Sequence, residues 1–329
     1  MIIVTGATGH LGNVLVKKLV ADGHDVGILV HNKPPQDVFA DIPLKVFLGD
    51  ITDYTTLVEP FKNAEIVYHL AAKISISSGE FEQLQKINVG GAKNVVKACL
   101  ENGVKKLIYA SSVHALVETP HGVQIIENVP DNTNNVLGDY ARSKVLAYHE
   151  IMQGFKQGLN VVIVFPSGII GPYDYKPSQI GQIIKNFLAG KPSSFFDGKY
   201  DYVDVRDVVE GMLQASVKGR AGQGYILNGN ISTVHEIYQI LEEYTKIHNK
   251  LSKIPLWLAY SVSYFAEFFS KLKHEEPLFT PYSVAVLQSN PLFSNAKAKS
   301  ELNYKVRPLK QTLQDAVDWH QSHTYKKVL

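Results

Sequence analysis

The chain has one cysteine, Cys99, so it can form no internal disulfide, which fits a reducing compartment. Cys99 falls in an apolar helical pattern and reads as an inert core thiol. Charge of one sign is also missing. The 33 Lys and Arg nearly balance the 31 Asp and Glu, and the basic pairs Lys105-Lys106 and Lys326-Lys327 stand alone. That excludes the basic footprint of a nucleic-acid-binding protein, and no nucleic-acid partner is expected. No window approaches the roughly 18 uninterrupted apolar residues of a membrane span, so no integral membrane segment is expected. Met1–Gly6 lacks a basic region before a long apolar stretch and reads as a strand, not a signal peptide. A cytoplasmic location follows as the expectation. The 12 histidines include no pair at metal-ligand spacing, so no metal site is expected.

What is present is an alternation. Short apolar runs at Ile2–Thr5, Val26–Val30, Leu44–Leu48, Ile66–Leu70, Leu107–Ser111 and Val161–Phe165 predict parallel strands covered on both faces. Helical patterns at Leu11–Ala21, Phe81–Glu101 and Tyr140–Gln157 lie between them, with Gly23, Gly103 and Gly158 close to their C-terminal ends. Such alternation predicts an α/β fold with a doubly wound parallel sheet. After Phe165, proline breaks the rhythm. Tyr202–Val205 and Tyr225–Leu227 look like further strands, and from Ser232 the pattern is mostly helical and aromatic-rich. The expected division is a Rossmann-type dinucleotide domain, 1–165 plus 201–230, and a smaller, mostly helical substrate lobe, 166–200 plus 231–329. The aromatic stretch Ile254–Lys273 is read as a lobe helix covering the substrate pocket, in preference to a membrane-docking helix.

The first predicted strand runs directly into Gly6-Ala7-Thr8-Gly9-His10-Leu11-Gly12 and then a helix. Gly6 allows a tight turn, Gly9 lets a pyrophosphate approach the backbone, and Gly12 allows close helix–strand packing. The helix N-terminus offers unpaired N–H groups to the phosphates. Farther along, Tyr140 and Lys144 stand at i and i+4, on one helix face. A phenol's ordinary pKa is near 10, and a fixed ammonium nearby is expected to favour the phenolate. Ser111-Ser112 closes the fifth predicted strand at the carboxyl edge, where a hydroxyl can donate to a carbonyl oxygen gaining negative charge.

Thr5–Gly12, His69–Ala72, Asn88–Gly91, Tyr109–Ser112, Tyr140–Lys144, Pro166–Pro172 and Val203–Asp207, in that order and spacing, resemble the successive motifs of the extended short-chain dehydrogenase/reductase family. Within it the chain is similar to dihydroflavonol-4-reductase-like and 3β-hydroxysteroid-dehydrogenase-like members. The resemblance implies a catalytic set of Tyr140, Lys144, Ser112 (which aligns better than Ser111) and Asn88. It also implies that Thr8, His10, Leu11, Ile51 and Leu70 join the glycines around a nicotinamide dinucleotide. Asp50 would bond the adenine, Ala71 and Ala72 would line the cleft, and Pro166 and Ile169 would touch the nicotinamide. His69 would belong to the cofactor-side strand end, and His114 and His121 to an active-site loop. A homodimer through the helices in 81–101 and 140–157 would follow family habit.

The resulting expectation is an NADPH-dependent carbonyl reductase or alcohol dehydrogenase acting on a small or moderately apolar ketone or aldehyde. NADP(H) is expected to be preferred over NAD(H), because Val30 stands where NAD enzymes place a carboxylate and His31, Asn32 and Lys33 follow. A nucleotide-sugar epimerase or dehydratase with bound NAD is the alternative. It is weakened because only Lys199 is cationic just before Tyr202, where epimerases commonly hold the diphosphate with arginine. A non-catalytic NAD(P) sensor, the second alternative, would need none of Ser112, Tyr140 and Lys144.

Overall fold

The computed structural model describes residues 1–32, 36–40, 42–273, 277 and 279–326. In chain order the strands are β1 (Ile2–Thr5), β2 (Val26–Val30), β3 (Lys45–Leu48), β4 (Ile66–His69), β5 (Lys106–Ala110), β6 (Val161–Pro166), β7 (Gly168–Ile170), β8 (Ser193–Phe195), β9 (Tyr200–Asp204), β10 (Gln223–Leu227), β11 (Asn230–Ser232) and β12 (Leu251–Lys253). Seven of them form one sheet in the order β10-β6-β5-β4-β1-β2-β3, every pair parallel. The chain reverses direction of travel between β1 and β4, which opens a crevice at the carboxyl ends of those strands.

Helices cover both faces, as crossovers require. The helices Gly91–Glu101 and Gly138–Lys156 bury Val95, Cys99, Val145 and Ile151 against one face. Burial pushes the Cys99 thiol up in pKa, so it stays protonated and inert. On the other face, the helices His10–Ala21 and Val205–Lys218 bury Leu15, Leu19, Val208 and Met212. Gly23, Gly103 and Gly158 all adopt positive φ just beyond helix ends. Among the described residues, no helix is long and apolar enough to cross a membrane.

Three local expectations need correction. The strand at β3 is not covered on both faces: it is the sheet's outer edge, with Leu48 66% exposed. Phe81–Glu101 is not one α-helix but the turn Phe81–Leu84, a π-helical segment Gln85–Gly90 and the helix Gly91–Glu101. The strand near Tyr202 does not return to the main sheet. It pairs with β7 and β11 in a separate three-stranded sheet, while β10 joins β6.

The C-terminal helices include Val234–Thr245, Leu256–Lys273, Pro281–Gln288, Ala296–Leu302 and Leu309–Lys326. Ile184, Phe187, Ile237, Leu241, Leu313 and Val317 form a second core beneath them. Ala298, Leu302 and Tyr304 instead pack into the core of Val208, Met212 and Leu227. The last helix is pinned where β9 turns into its helix. The Arg206 guanidinium spans Asp204 at 2.7 Å and Asp315 at 2.6 Å, and Thr312 donates to Asp204 at 2.9 Å. Against the cost of burial, the bonds from Arg206 and Thr312 hold the Asp204 carboxyl below its usual range.

Arg206→Ala should therefore cost about 2–4 kcal/mol, because it leaves a buried carboxylate partly unpaired. Asp315→Ala, at a partly exposed partner, should cost less than about 1 kcal/mol. Urea unfolding measures both, and equal small losses would show that the Asp204 charge is not what the arginine serves.

Candidate functional site

The glycine loop sits at the crevice between β1 and β4. Gly6 has φ +73°, and a Cβ there would lie 2.5 Å from the Ala71 nitrogen. A Cβ on Gly12 would overlap the Gly6 carbonyl oxygen. Gly9 differs: its Cβ position meets nothing nearer than 3.4 Å, so that face of the loop is open. Gly9 is also the N-cap of the helix His10–Ala21 and supplies no capping side chain. Backbone N–H groups at such a start suit a phosphate. An open cradle over an uncapped helix start fits a dinucleotide pyrophosphate.

The loop is held from outside the sheet. The ring Nε2 of His10 donates to the Pro172 carbonyl at 2.9 Å, and Asn13 donates to the Tyr173 carbonyl at 3.1 Å. Asn13 and Tyr173 were not legible as partners in the sequence, being 160 residues apart. Leu70 and Ala71 donate backbone N–H groups to the Thr5 carbonyl and hydroxyl. His69 is a core residue, bonded to Thr5 at 2.8 Å, and burial pushes its pKa down to about 3. Asp50 accepts from the Thr52 N–H and lies 3.5 Å from His31 at the end of β2. Ile51 is buried under Gly91. His31 and Asn32 are exposed, and Lys33 lies outside the described residues. Pro166 ends β6, and Ile169 lies in β7 paired with Val203. Thr8, Leu11 and Ala72 complete the loop and the strand end, each partly exposed.

Tyr140 and Lys144 lie one turn apart on the helix Gly138–Lys156, both buried. The Lys144 ammonium donates to the Ala110 carbonyl at 3.0 Å and stands 5.3 Å from the Tyr109 ring centre. Burial lowers Lys144 to about 8. It also raises Tyr140 to about 12, with the Ser112 hydroxyl pulling the other way. The expected lowering of Tyr140 by Lys144 is thus not found. Loss of solvent outweighs it, and the ammonium is engaged with a backbone carbonyl. Of the two serines, Ser112 is the one whose hydroxyl reaches Tyr140.

Asn88 sits in the π-helical segment and explains it. Its amide donates to the Lys73 carbonyl and the Ser143 hydroxyl at 3.0 and 2.9 Å, and its oxygen accepts from the Lys73 N–H at 2.8 Å. Widening the helix turns Asn88 to stitch the loop after β4 onto the Tyr140 helix, a common setting for π turns at functional sites.

Tyr140 opens onto a cleft of about 260 Å³ lined by residues 75–78 and 138–140 with Tyr264, Glu267, Pro281 and Tyr282. Glu267 accepts from the Ser78 N–H at 2.7 Å and from its hydroxyl at 2.6 Å. Against the cost of burial, Ser78 and the Lys271 ammonium hold its carboxyl below the usual range. Asp139 accepts from the Gly79 N–H at 3.1 Å. No Lys or Arg is among the described lining residues, and Lys199 is exposed elsewhere. The helix Leu256–Lys273 borders the cleft through Tyr264 and Glu267 and buries Ala259 and Ser263. Its outer face leaves Trp257 and Phe265 exposed. His114 lies behind Tyr140, whereas His121 bonds the Gln288 carbonyl at the surface, away from the cleft. Tyr200 and Tyr282 went unrecognised in the sequence because they belong to no short motif, and Tyr264 and Glu267 were legible only as part of the aromatic stretch Ile254–Lys273.

The family described as NAD dependent epimerase/dehydratase matches residues 2–228. A "Sterol demethylase protein B" of Methylococcus capsulatus is 30% identical over 319 residues, covering 96% of this chain and 97% of its own. A "Putative dihydroflavonol 4-reductase" of Synechocystis is 30% identical, covering 98% and 95%. A solved UDP-glucose 4-epimerase of Thermotoga maritima superposes with a TM-score of 0.82 at 22% identity, covering 98% and 99%, a likeness of fold alone.

Gly9→Ala and Gly12→Ala should separate ligand from fold. Gly9→Ala should leave the melting temperature within about 2 °C and weaken dinucleotide binding at least tenfold, because its Cβ occupies only the open cradle. Gly12→Ala should lower the melting temperature itself. Calorimetric titration beside thermal melts reads both, and unweakened binding by Gly9→Ala would remove the loop as the phosphate site.

Proposed function

The chain belongs to the NAD-dependent epimerase/dehydratase family, of extended short-chain dehydrogenase/reductase type; from that premise we propose that it interconverts a neutral, moderately apolar ketone or aldehyde and its alcohol. The observation that carries this reading is Tyr140 on the wall of a cleft with no described Lys or Arg in its lining, the Ser112 hydroxyl beside the phenol and the two lining carboxylates paired, Glu267 with Lys271 and Asp139 with Arg142. A nucleotide diphosphate sugar brings two negative charges, and no described lining residue offers a cation to pair with them. A sterol and a dihydroflavonol, named for two relatives, are apolar ring compounds bearing oxygen, which supports the same substrate body.

Each residue has a distinct part in this reading. Tyr140, protonated at neutral pH, donates its proton to the carbonyl oxygen during reduction. Ser112 donates a second hydrogen bond to that oxygen. Lys144, charged below about pH 8, stabilises the phenolate that Tyr140 becomes. Asn88 fixes the loop 71–73 and Ser143, so it positions and does not react. A nicotinamide dinucleotide held at the Gly6–Gly12 loop would supply or take up the hydride.

Tyr140→Phe should lower turnover by about 10²–10⁴ and leave dinucleotide affinity within threefold. The assay is a carbonyl screen with NADPH and NADH followed at the reduced-nicotinamide absorbance. Wild-type turnover in a chemistry-limited step would remove Tyr140 from its role, and tight calorimetric binding of a nucleotide sugar would favour the epimerase reading.

We also propose a moderate preference for NADP(H). No carboxylate follows β2 directly, and His31 and Asn32 can donate to a 2′-phosphate. Asp50, 3.5 Å from His31, opposes the phosphate and keeps the preference small. The expected kcat/KM ratio of NADPH to NADH is about 5–100, corresponding to roughly 1–3 kcal/mol. A ratio below one would place the ribose contact elsewhere.

A further inference from the structure

Behind Tyr140, one imidazole joins two further phenols. The His114 Nε2 lies 2.9 Å from the Tyr200 hydroxyl, and its Nδ1 lies 3.4 Å from the Tyr282 hydroxyl, a longer contact. The rings of Tyr140 and Tyr282 stand 6.0 and 6.1 Å from the His114 ring, so both phenols surround one centre. Tyr282 lines the cleft beside Tyr140, and its ring is seated on Gly138. A Cβ on Gly138 would stand 2.5 Å from the Tyr282 Cε2, so a glycine at φ +82° makes the room for it.

The hydrogen bonds of this group have a polarity. Burial keeps His114 neutral, with one N–H and one lone pair to share between two hydroxyls. One phenol must therefore donate to the ring and the other accept from it. Tyr200 is the more enclosed, and a buried O–H without an acceptor is costly. Donation from Tyr200 to Nε2 satisfies it. Nδ1–H then donates to the Tyr282 oxygen, and the Tyr282 O–H is left to donate into the cleft.

We infer that Tyr282 is a specificity-determining residue that donates a hydrogen bond to a second oxygen of the substrate, with His114 as the positioning residue that sets its polarity. The substrate class narrows accordingly. It is a carbonyl compound bearing, several bonds from the reacting group, an acceptor oxygen such as an ether, a second carbonyl or a hydroxyl. This deepens the oxidoreductase reading and rests on it. A neutral acceptor suits the site because no described lining residue offers a cation to an anion.

Acetophenone, which has one oxygen, is compared with its 3- and 4-methoxy derivatives, whose ether oxygen accepts and cannot donate. The two methoxy isomers sample the spacing. The wild-type protein should prefer one of them over acetophenone at least tenfold in kcat/KM with NADPH. Tyr282→Phe should reduce that preference at least fivefold, mainly through KM, since the contact is made equally in the bound and transition states. His114→Leu should reproduce the loss, and His114→Gln, which retains a donor and an acceptor, should restore part of it. The Tyr282→Phe/His114→Leu pair should lose no more than either single variant, the signature of one coupled unit.

Saturation-transfer NMR of the same ketones supplies a binding readout that needs no turnover. If nothing is reduced but the wild type binds a methoxy ketone more tightly than Tyr282→Phe does, the recognition site stands and the oxidoreductase reading falls. If ketones are reduced with a preference that Tyr282→Phe leaves unchanged, or with no preference, Tyr282 is a wall residue and the inference is overturned. Absence of both binding and turnover overturns it as well.

Discussion

The site turns on one buried cation. Lys144 is almost fully enclosed, and a buried ammonium must find acceptors or give up its charge. Its described hydrogen bond goes to the Ala110 carbonyl, at the carboxyl end of β5. With the buried Val145 and Ile151 and the Asn88–Ser143 bond, that contact holds the rotation of the helix Gly138–Lys156 against the sheet. Because Tyr140 lies one turn earlier, the same rotation aims its phenol at the cleft and brings it to Ser112. Burial, which makes the arrangement possible, also moves the two pKa values apart, Tyr140 up to about 12 and Lys144 down to about 8. The acid stays protonated at neutral pH while its cation stays charged.

The sheet was legible because a strand buried on both faces leaves an uninterrupted apolar run, and six such runs sit within a residue or so of the observed bounds. The glycine loop was legible for a comparable reason: two of its three glycines are required by backbone contacts within the protein itself. The edge strand misled because Val46 and Leu48 are apolar yet exposed, and composition does not reveal which strand lies outermost. The π-helical segment was hidden because its cause, Asn88 bonding Lys73 and Ser143, is tertiary. Local periodicity does not register a partner 55 residues away.

The two halves of the crevice obey different rules, which is why one was readable and the other was not. The dinucleotide side is made of backbone, so glycine spacing in the sequence records it. The substrate side is made of side chains from four separate stretches, near residues 76, 139, 265 and 282. None of these stretches carries a pattern by itself. Gly138 is a partial exception, since its position at a helix start marks a close approach whose occupant only the structure names.

The π-helical segment makes the length of that stretch matter more than its composition. A π turn holds about one residue more than an α turn, so deleting one residue from Gln85–Gly90 would let the α-helix close up with its flanking turns in register and take Asn88 out of place. Gly91 would no longer sit over Ile51 while Asn88 faced Lys73; one of the two registrations would be lost. Replacing the exposed Gln85 or Lys86 by another polar residue touches neither. In this part of the chain an insertion or deletion is the severe lesion, and many a substitution is a mild one.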